Sequence, residues 1–187
     1  FGINPVGLAA VPYSPLGIGL LVLPTGDPDA AIVSATVTSG SGDADTAGFN
    51  ELDGDNLVFS ISGRVRTNFF GKTGHQAAAA VYNNRTFTSL DQRFPIEDGG
   101  IETQDGTWCF LYNFDQYFYQ PDPKVDRGVG VFGRFGVSDG DPNPIHYFFS
   151  AGLGAKGLIP GRENDQCGIG YYYMDVSNIV LEGPTST

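Results

Sequence analysis

Apolar and polar residues alternate along most of this chain with a period of two. Residues 57–69 show it most cleanly. The odd positions are Leu57, Phe59, Ile61, Gly63, Val65, Thr67 and Phe69, and the even ones are Val58, Ser60, Ser62, Arg64, Arg66 and Asn68. Successive side chains of a strand point to opposite faces, so this segment has one apolar side and one polar or charged side. Residues 129–137 repeat the pattern, with Val129, Val131, Gly133, Phe135 and Val137 set against Gly130, Phe132, Arg134 and Gly136. The same reading predicts strands over 16–23, 31–38, 57–69, 74–88, 107–120, 128–138, 145–156 and 166–176, with a short partial strand inside 5–12. The four alanines at 77–80 favour helix by propensity. Their continuation, Tyr82 through Thr88, is poor helix material, so 74–88 is read as a strand. In 107–120, Trp108, Phe110, Tyr112, Phe114 and Phe118 share one parity, and Leu111, Asn113, Asp115, Tyr117 and Tyr119 the other. Alternation alone does not say whether the apolar side meets a protein core or lipid.

The connections sort by length. In an up-and-down meander, successive connections fall at alternate ends. Residues 25–29, the pair Gly71-Lys72, 121–126 and 158–164 would share one end, and all are short. Residues 39–55, 89–105 and 139–144 would share the other, and the first two are long. Outer-membrane barrels show this asymmetry, whereas a Greek-key sandwich gives no reason for it.

Composition agrees. Glycine is high at 27 residues and aromatics reach 13%, which favours strands over helices. The longest apolar run, 16–23, is broken by Gly17 and Gly19 and falls short of the roughly 18 residues a membrane helix needs. Barrel strands need only about 10. A net charge of −11 argues against duplex nucleic acid as a partner. The acids, among them Asp27, Asp29, Asp43, Asp45, Glu51, Asp53, Glu97, Asp98 and Asp126, gather in the connections, while Arg64, Arg66, Arg85 and Arg134 sit inside strands. That inverts the layout of a soluble sheet, whose strand interiors avoid charge.

Little covalent chemistry is visible. Asp115 and Asp139 are not fixed as the close carboxylate pair a glycosidase needs, and His75 and His146 lack metal-ligand spacing. Asp139, Asp141 and Asn143 alternate as in a calcium loop, but the central glycine and the bidentate acid of such a loop are missing, leaving ordinary turn chemistry. No metal or cofactor is expected. In a meander Cys109 and Cys167 lie three strand spacings apart, about 14 Å, beyond the roughly 7 Å a disulfide spans. Two free thiols are expected.

The string Arg127 to Pro144, RGVGVFGRFGVSDGDPNP, is continued by His146-Tyr147-Phe148-Phe149-Ser150-Ala151-Gly152-Leu153-Gly154, by Ile159-Pro160-Gly161-Arg162 and by Gly168-Ile169-Gly170-Tyr171-Tyr172-Tyr173. With Tyr112-Asn113-Phe114-Asp115-Gln116-Tyr117, Phe69-Phe70-Gly71, Gly74-His75-Gln76 and Arg85 to Asp91, these residues resemble the carbohydrate-selective outer-membrane porin family of OprB type. The resemblance is strong over 57–176 and weaker before Gly48. It implies an all-β, antiparallel, up-and-down transmembrane barrel of about sixteen strands in the bacterial outer membrane, trimeric, passing sugars by passive diffusion. Eight or nine strands exhaust 187 residues, so residues 1–187 are expected to form about half of one barrel domain.

On this reading Leu57, Phe59, Ile61, Val129, Val131 and Phe135 face lipid. Arg64, Arg66, Arg85, Asp115, Tyr117, Phe132 and Arg134 are the candidates for the lumen and for solute contact. Arginines there would donate to sugar hydroxyls, unless they pair with acids such as Asp115 or Asp139 and only brace the wall. Tyr82, Tyr117, Tyr119, Phe132, Phe148 and Tyr172, on the polar parity, would offer faces for sugar rings, unless, as is expected for most of them, they only pack the lumen or sit in an aromatic girdle. The partners expected are sugars or small hydrophilic solutes, outer-membrane lipid and two further copies of the chain. The alternative is a soluble carbohydrate-binding β-sandwich, in which the apolar residues would meet in a shared dry core.

Overall fold

The computed structural model describes residues 4–8, 10, 16–40, 54–90, 101–122 and 124–176. Eight strands follow a short 3-10 turn at Pro5–Leu8: β1 (Gly17–Val22), β2 (Ala31–Ser39), β3 (Leu57–Phe69), β4 (Lys72–Thr88), β5 (Thr103–Tyr119), β6 (Gly128–Ser138), β7 (Ile145–Lys156) and β8 (Gln166–Val176). They form one sheet in sequence order, every neighbouring pair antiparallel, with β1 and β8 at its edges. The fold is the expected all-β, up-and-down meander. The interiors of the long connections, 41–53 and 91–100, with the acids expected there, and the C-terminal residues 177–187 lie outside the described residues.

The hairpin β3–β4 shows how local chemistry sets the register. Its turn is Phe70-Gly71, both with positive φ (57° and 67°). Two left-handed residues make the tight turn whose twist matches paired strands. The sequence reading placed this turn one residue later; Lys72 is in fact the first residue of β4, and its ammonium donates to the Gln120 carbonyl at 3.0 Å. From this turn the pairing runs outward through Arg66 opposite His75, Arg64 opposite Ala77 and Ile61 opposite Ala80.

Register divides the sheet into two faces. One carries Ile18, Leu20, Val33, Val37, Phe59, Ile61, Val65, Trp108, Phe110, Phe135, Phe149, Leu153, Ile169 and Tyr171, all exposed except Val37. No described element covers it. The opposite face is polar and carries hydroxyl pairs such as Ser34 with Ser62 at 2.8 Å and Thr36 with Ser60 at 2.6 Å.

The dry cluster sits on the polar face, at the end of the long connections. Val6 and Ala10 pack there with Val58, Val81, Cys109, Ile145 and Phe148, and Leu111 borders them. Three asparagines hold this segment. The Asn4 side chain donates to the Phe135 carbonyl (3.1 Å), Asn83 to that of Ala10 (3.3 Å), and Asn143 to that of Val6 (2.8 Å). Of the partial strand expected inside 5–12, residues 5–8 form a turn instead, and residues 9, 11 and 12 lie outside the described residues. The Val6 and Ala10 carbonyls bond to side chains rather than to a strand ladder, which Pro5 disfavours by lacking an N–H.

β5 starts at Thr103, four residues earlier than expected, because pairing resumes beyond a register shift. Between Asn83 and Thr86 the β4 chain carries one residue more than β5, and the ladder then continues to Thr88 opposite Thr103. A second shift separates Tyr117 from Tyr119. Each such bulge reverses parity beyond it. Both cysteines are free, as the strand spacing requires, with Cys109 buried and Cys167 exposed.

Candidate functional site

The polar face is organised in rows that cross the sheet. One row runs Ile32, Arg64, Ala77, Asn113, Arg134, Ser150 and Tyr172. The next, toward the short connections, runs Arg66, His75, Asp115, Phe132, Gly152 and Gly170. Tyr117 follows opposite Gly130. Six of the seven expected lumen candidates therefore share one face, in adjoining rows: Arg64, Arg66, Asp115, Tyr117, Phe132 and Arg134. Leu57, Phe59, Ile61, Val129, Val131 and Phe135 all lie on the other face.

Arg85 does not join them. It stands in the register shift of β4, where Thr86 keeps the polar side by donating to Asp105 at 2.8 Å, and the Arg85 guanidinium lies 4.6 Å from the centroid of the Phe87 ring. Tyr82, opposite Phe59 and Trp108, lies on the apolar face. Tyr119, beyond the second shift, pairs with Val129 and follows it to that side.

Arg64 and Arg66 are paired, though not with the acids considered first. The Arg64 guanidinium donates to the Pro28 carbonyl at 3.1 Å and lies 3.9 Å from Asp29, and Arg66 lies 3.9 Å from Asp27. Both acids belong to the β1–β2 turn. These exposed pairs add little stability, but they hold two guanidiniums against the wall with donors to spare. Asp115 accepts from His75, whose Nδ1 is 3.0 Å away. Nearer the short connections, the Tyr117 hydroxyl donates to Asp126 at 2.8 Å and the Lys156 ammonium contacts the same carboxylate. The bond from Lys156 holds the Asp126 carboxyl below its ordinary value of 3.8, helped by Tyr117 and opposed by partial burial.

Two hollows open on this face. One of about 560 Å³ is lined by His75, Asp115, Tyr117, Asp126, Phe132 and Lys156 among others, and one of about 190 Å³ by Arg64, His75, Asn113, Asp115, Phe132 and Arg134 among others. A third, about 830 Å³, lies on the apolar face among Ile18, Leu20, Phe59, Ile61, Trp108 and Phe110.

The carboxylates outside this cluster brace connections. Asp139 accepts from the Thr107 hydroxyl at 2.9 Å and the Trp108 amide at 3.3 Å, while burial raises its pKa against those bonds. Thr107 is eight residues along β5 from Asp115, which sets Asp139 and Asp115 roughly 25 Å apart, far beyond glycosidase spacing. Asp141 accepts from the Ser89 hydroxyl and the Leu90 amide, each at 2.7 Å. Asn143 is spent on Val6 and on the Ile145 amide. No group of three metal-ligating side chains occurs among the described residues.

A family model described as carbohydrate-selective porin, OprB family, matches residues 3–183. The chain belongs to the OprB family. Among solved structures, one described as the high pH structure of Pseudomonas putida OprB matches with a TM-score of 0.70 and 17% identity. The match covers 88% of this chain and 40% of that one. It shows the fold, and this OprB-family chain spans less than half the length of that relative. A search of curated proteins finds no match. The family is one of channels rather than enzymes.

Several wall residues of this OprB-family sheet escape a reading of single strands. His75, isolated in sequence, meets Asp115 forty residues away. Asn113 stands between Arg64 and Arg134 in one row. Counting outward from Phe70-Gly71 sets His75 opposite Arg66, but its meeting with Asp115 depends on the separate register of β4 with β5.

Proposed function

We propose that this chain forms part of the wall of a passive outer-membrane channel for carbohydrates and other small hydrophilic solutes. One observation carries the reading. A continuous apolar face lies bare of any described element, while the face behind it presents arginines, Asn113, Asp115 and His75 in adjoining rows. A sheet of this kind is stable where the bare face meets hydrocarbon and the charged face meets water. A soluble sandwich would bury the apolar face against a second sheet about 10 Å away; the dry cluster here is on the opposite face.

In this channel Leu57, Phe59, Ile61, Val129, Val131 and Phe135 face lipid. Arg64, Arg66 and Arg134 offer donors to passing hydroxyls, Asp115 offers an acceptor, and the solute crosses without covalent change. β1 and β8 find their remaining partners elsewhere in the closed barrel, since unpaired strand edges are costly in lipid. We propose a trimeric assembly of such barrels.

Swelling of proteoliposomes in a series of sugars tests the function, with the protein as its gene encodes it. Swelling rates falling with solute size are expected, and swelling no faster than in protein-free liposomes would overturn the proposal. Arg134→Ala should alter the ratio of rates between sugars. An unchanged ratio would remove Arg134 from the selective wall.

A further inference from the structure

We infer that Phe132 is a stacking platform for one pyranose ring, with Asp115, His75 and Arg134 as its polar rim. The inference rests on the channel reading and goes beyond it, from passage to a defined resting place.

The floor beneath Phe132 is glycine. On the polar face of β7 and β8, Gly152, Gly154, Gly168 and Gly170 stand where other strands carry side chains. A methyl group built on each would come within 2.6, 3.5, 3.8 and 3.6 Å, respectively, of the Phe132 ring. The side chain therefore lies along the wall, across β7 and as far as β8, resting on backbone. A larger residue at Gly152 would lift it. The ring meets the glycines through Cδ1, Cε1 and Cζ and borders the hollows with the rest of its surface, which is the stacking face inferred here.

That space is shaped for a small solute. Phe132 borders both hollows of the polar face, and His75 and Asp115 border both with it. The π face of an aromatic ring is electron-rich and attracts the weakly positive hydrogens on the flat C–H face of a sugar. A sugar stacked there turns its hydroxyls outward, in the plane of its own ring. At that level stand the carboxylate of Asp115, an acceptor only, the imidazole of His75, and the guanidinium of Arg134, a donor only. Few polar groups around an apolar surface is the usual make-up of a small-molecule site. Phe132 itself brings no polar atom, so its contribution favours ring-shaped sugars over linear polyols of the same size.

Planar bilayers containing the protein as its gene encodes it give the test, read as the concentration of added sugar that halves the ion current. Glucose should block saturably, and sorbitol, an acyclic hexitol of nearly equal mass, should need at least about fivefold more, the equivalent of about 1 kcal/mol. Phe132→Leu should raise the glucose value by a similar factor while current without sugar persists. Phe132→Tyr should restore it. Should Phe132→Leu yield no channels, Gly154→Val, whose branches would enter the ring's place, carries the same expectation. Equal block by glucose and sorbitol, or wild-type block in the substituted channels, would overturn the platform. A wild type that passes sugars in swelling assays but shows no saturable block would overturn the platform and leave the channel standing. A wild type that passes no sugar would remove both.

Discussion

Ile61→Arg separates lipid from water on the bare face. Ile61 pairs with Ala35, the central residue of β2, and with Ala80, the central residue of β4, so it stands near mid-height of the sheet. It is 57% exposed with respect to the protein. Were that exposure to water, replacing it would change stability by no more than about 0.5 kcal/mol. At the middle of a bilayer, an outward arginine on a barrel costs about 2–4 kcal/mol, a drop of roughly 30- to 900-fold in the folding equilibrium. Ser62→Arg, one residue on and on the polar face, is the control. It adds the same side chain to a wall that already carries Arg64, and should cost under about 1 kcal/mol. Reversible unfolding from lipid vesicles, followed by tryptophan fluorescence of Trp108 and by heat-dependent gel mobility, reads both. Ile61→Arg within error of the wild type, or Ser62→Arg as damaging as Ile61→Arg, would refute the face assignment.

Two further predictions concern the ends of the sheet. Asn143→Ala strips buried partners from the Val6 carbonyl and the Ile145 amide. It should cost about 2 kcal/mol and expose residues 4–10 to protease; a cleavage pattern like the wild type's would count against the tether. Asp126 has its carboxyl pKa lowered, chiefly by the bond from Lys156, so the ionised form is favoured in the folded chain. Its stabilisation is present above the ordinary value of 3.8 and is lost as pH falls through the lower folded value. The heat-induced mobility shift of the wild type should therefore move to lower temperature below about pH 4, and in Asp126→Asn it should move less. Parallel curves for the two proteins would show that this pair does not contribute.

The sequence showed the meander well because period-two alternation is a direct imprint of two unlike media on one sheet. It is strongest where the two sides differ most, as in Leu57–Phe69. It weakens where small residues occupy both sides. In β4 the run Ala77 to Ala80 is neutral, so nothing local said that Tyr82 belongs with Phe59 and Trp108. Parity also fails across a bulge, because one unpaired residue reverses every side chain beyond it. Arg85 and Tyr119 were misplaced for this reason; Gly106, with a φ of 78°, stands at the first shift and was its one local signal. Partners on different strands are a third kind of blind spot. His75 with Asp115, and Arg64 and Arg66 with the β1–β2 turn, exist only once register is fixed. The segment at residues 4–10 was the hardest. Its apolar side chains serve a dry patch inside an otherwise polar wall, and neither alternation nor composition foretells that arrangement.

That segment also bears on the order in which the sheet forms. Among the described residues, all seven strand pairings join neighbours in the chain, so each hairpin closes a modest loop and the meander can grow stepwise. The bond from Asn143 to Val6 is different in kind, spanning 137 residues. Contacts of such separation carry the largest loop-closure entropy when made early and little when made late, after intervening strands have drawn their ends together. Val6 and Ala10 also need Val58, Val81, Cys109 and Phe148 in place on four different strands before there is anything to pack against. The segment is therefore a late latch. It reports that β3 through β7 have registered correctly, and a chain with one strand slipped by a residue would have no seat for it.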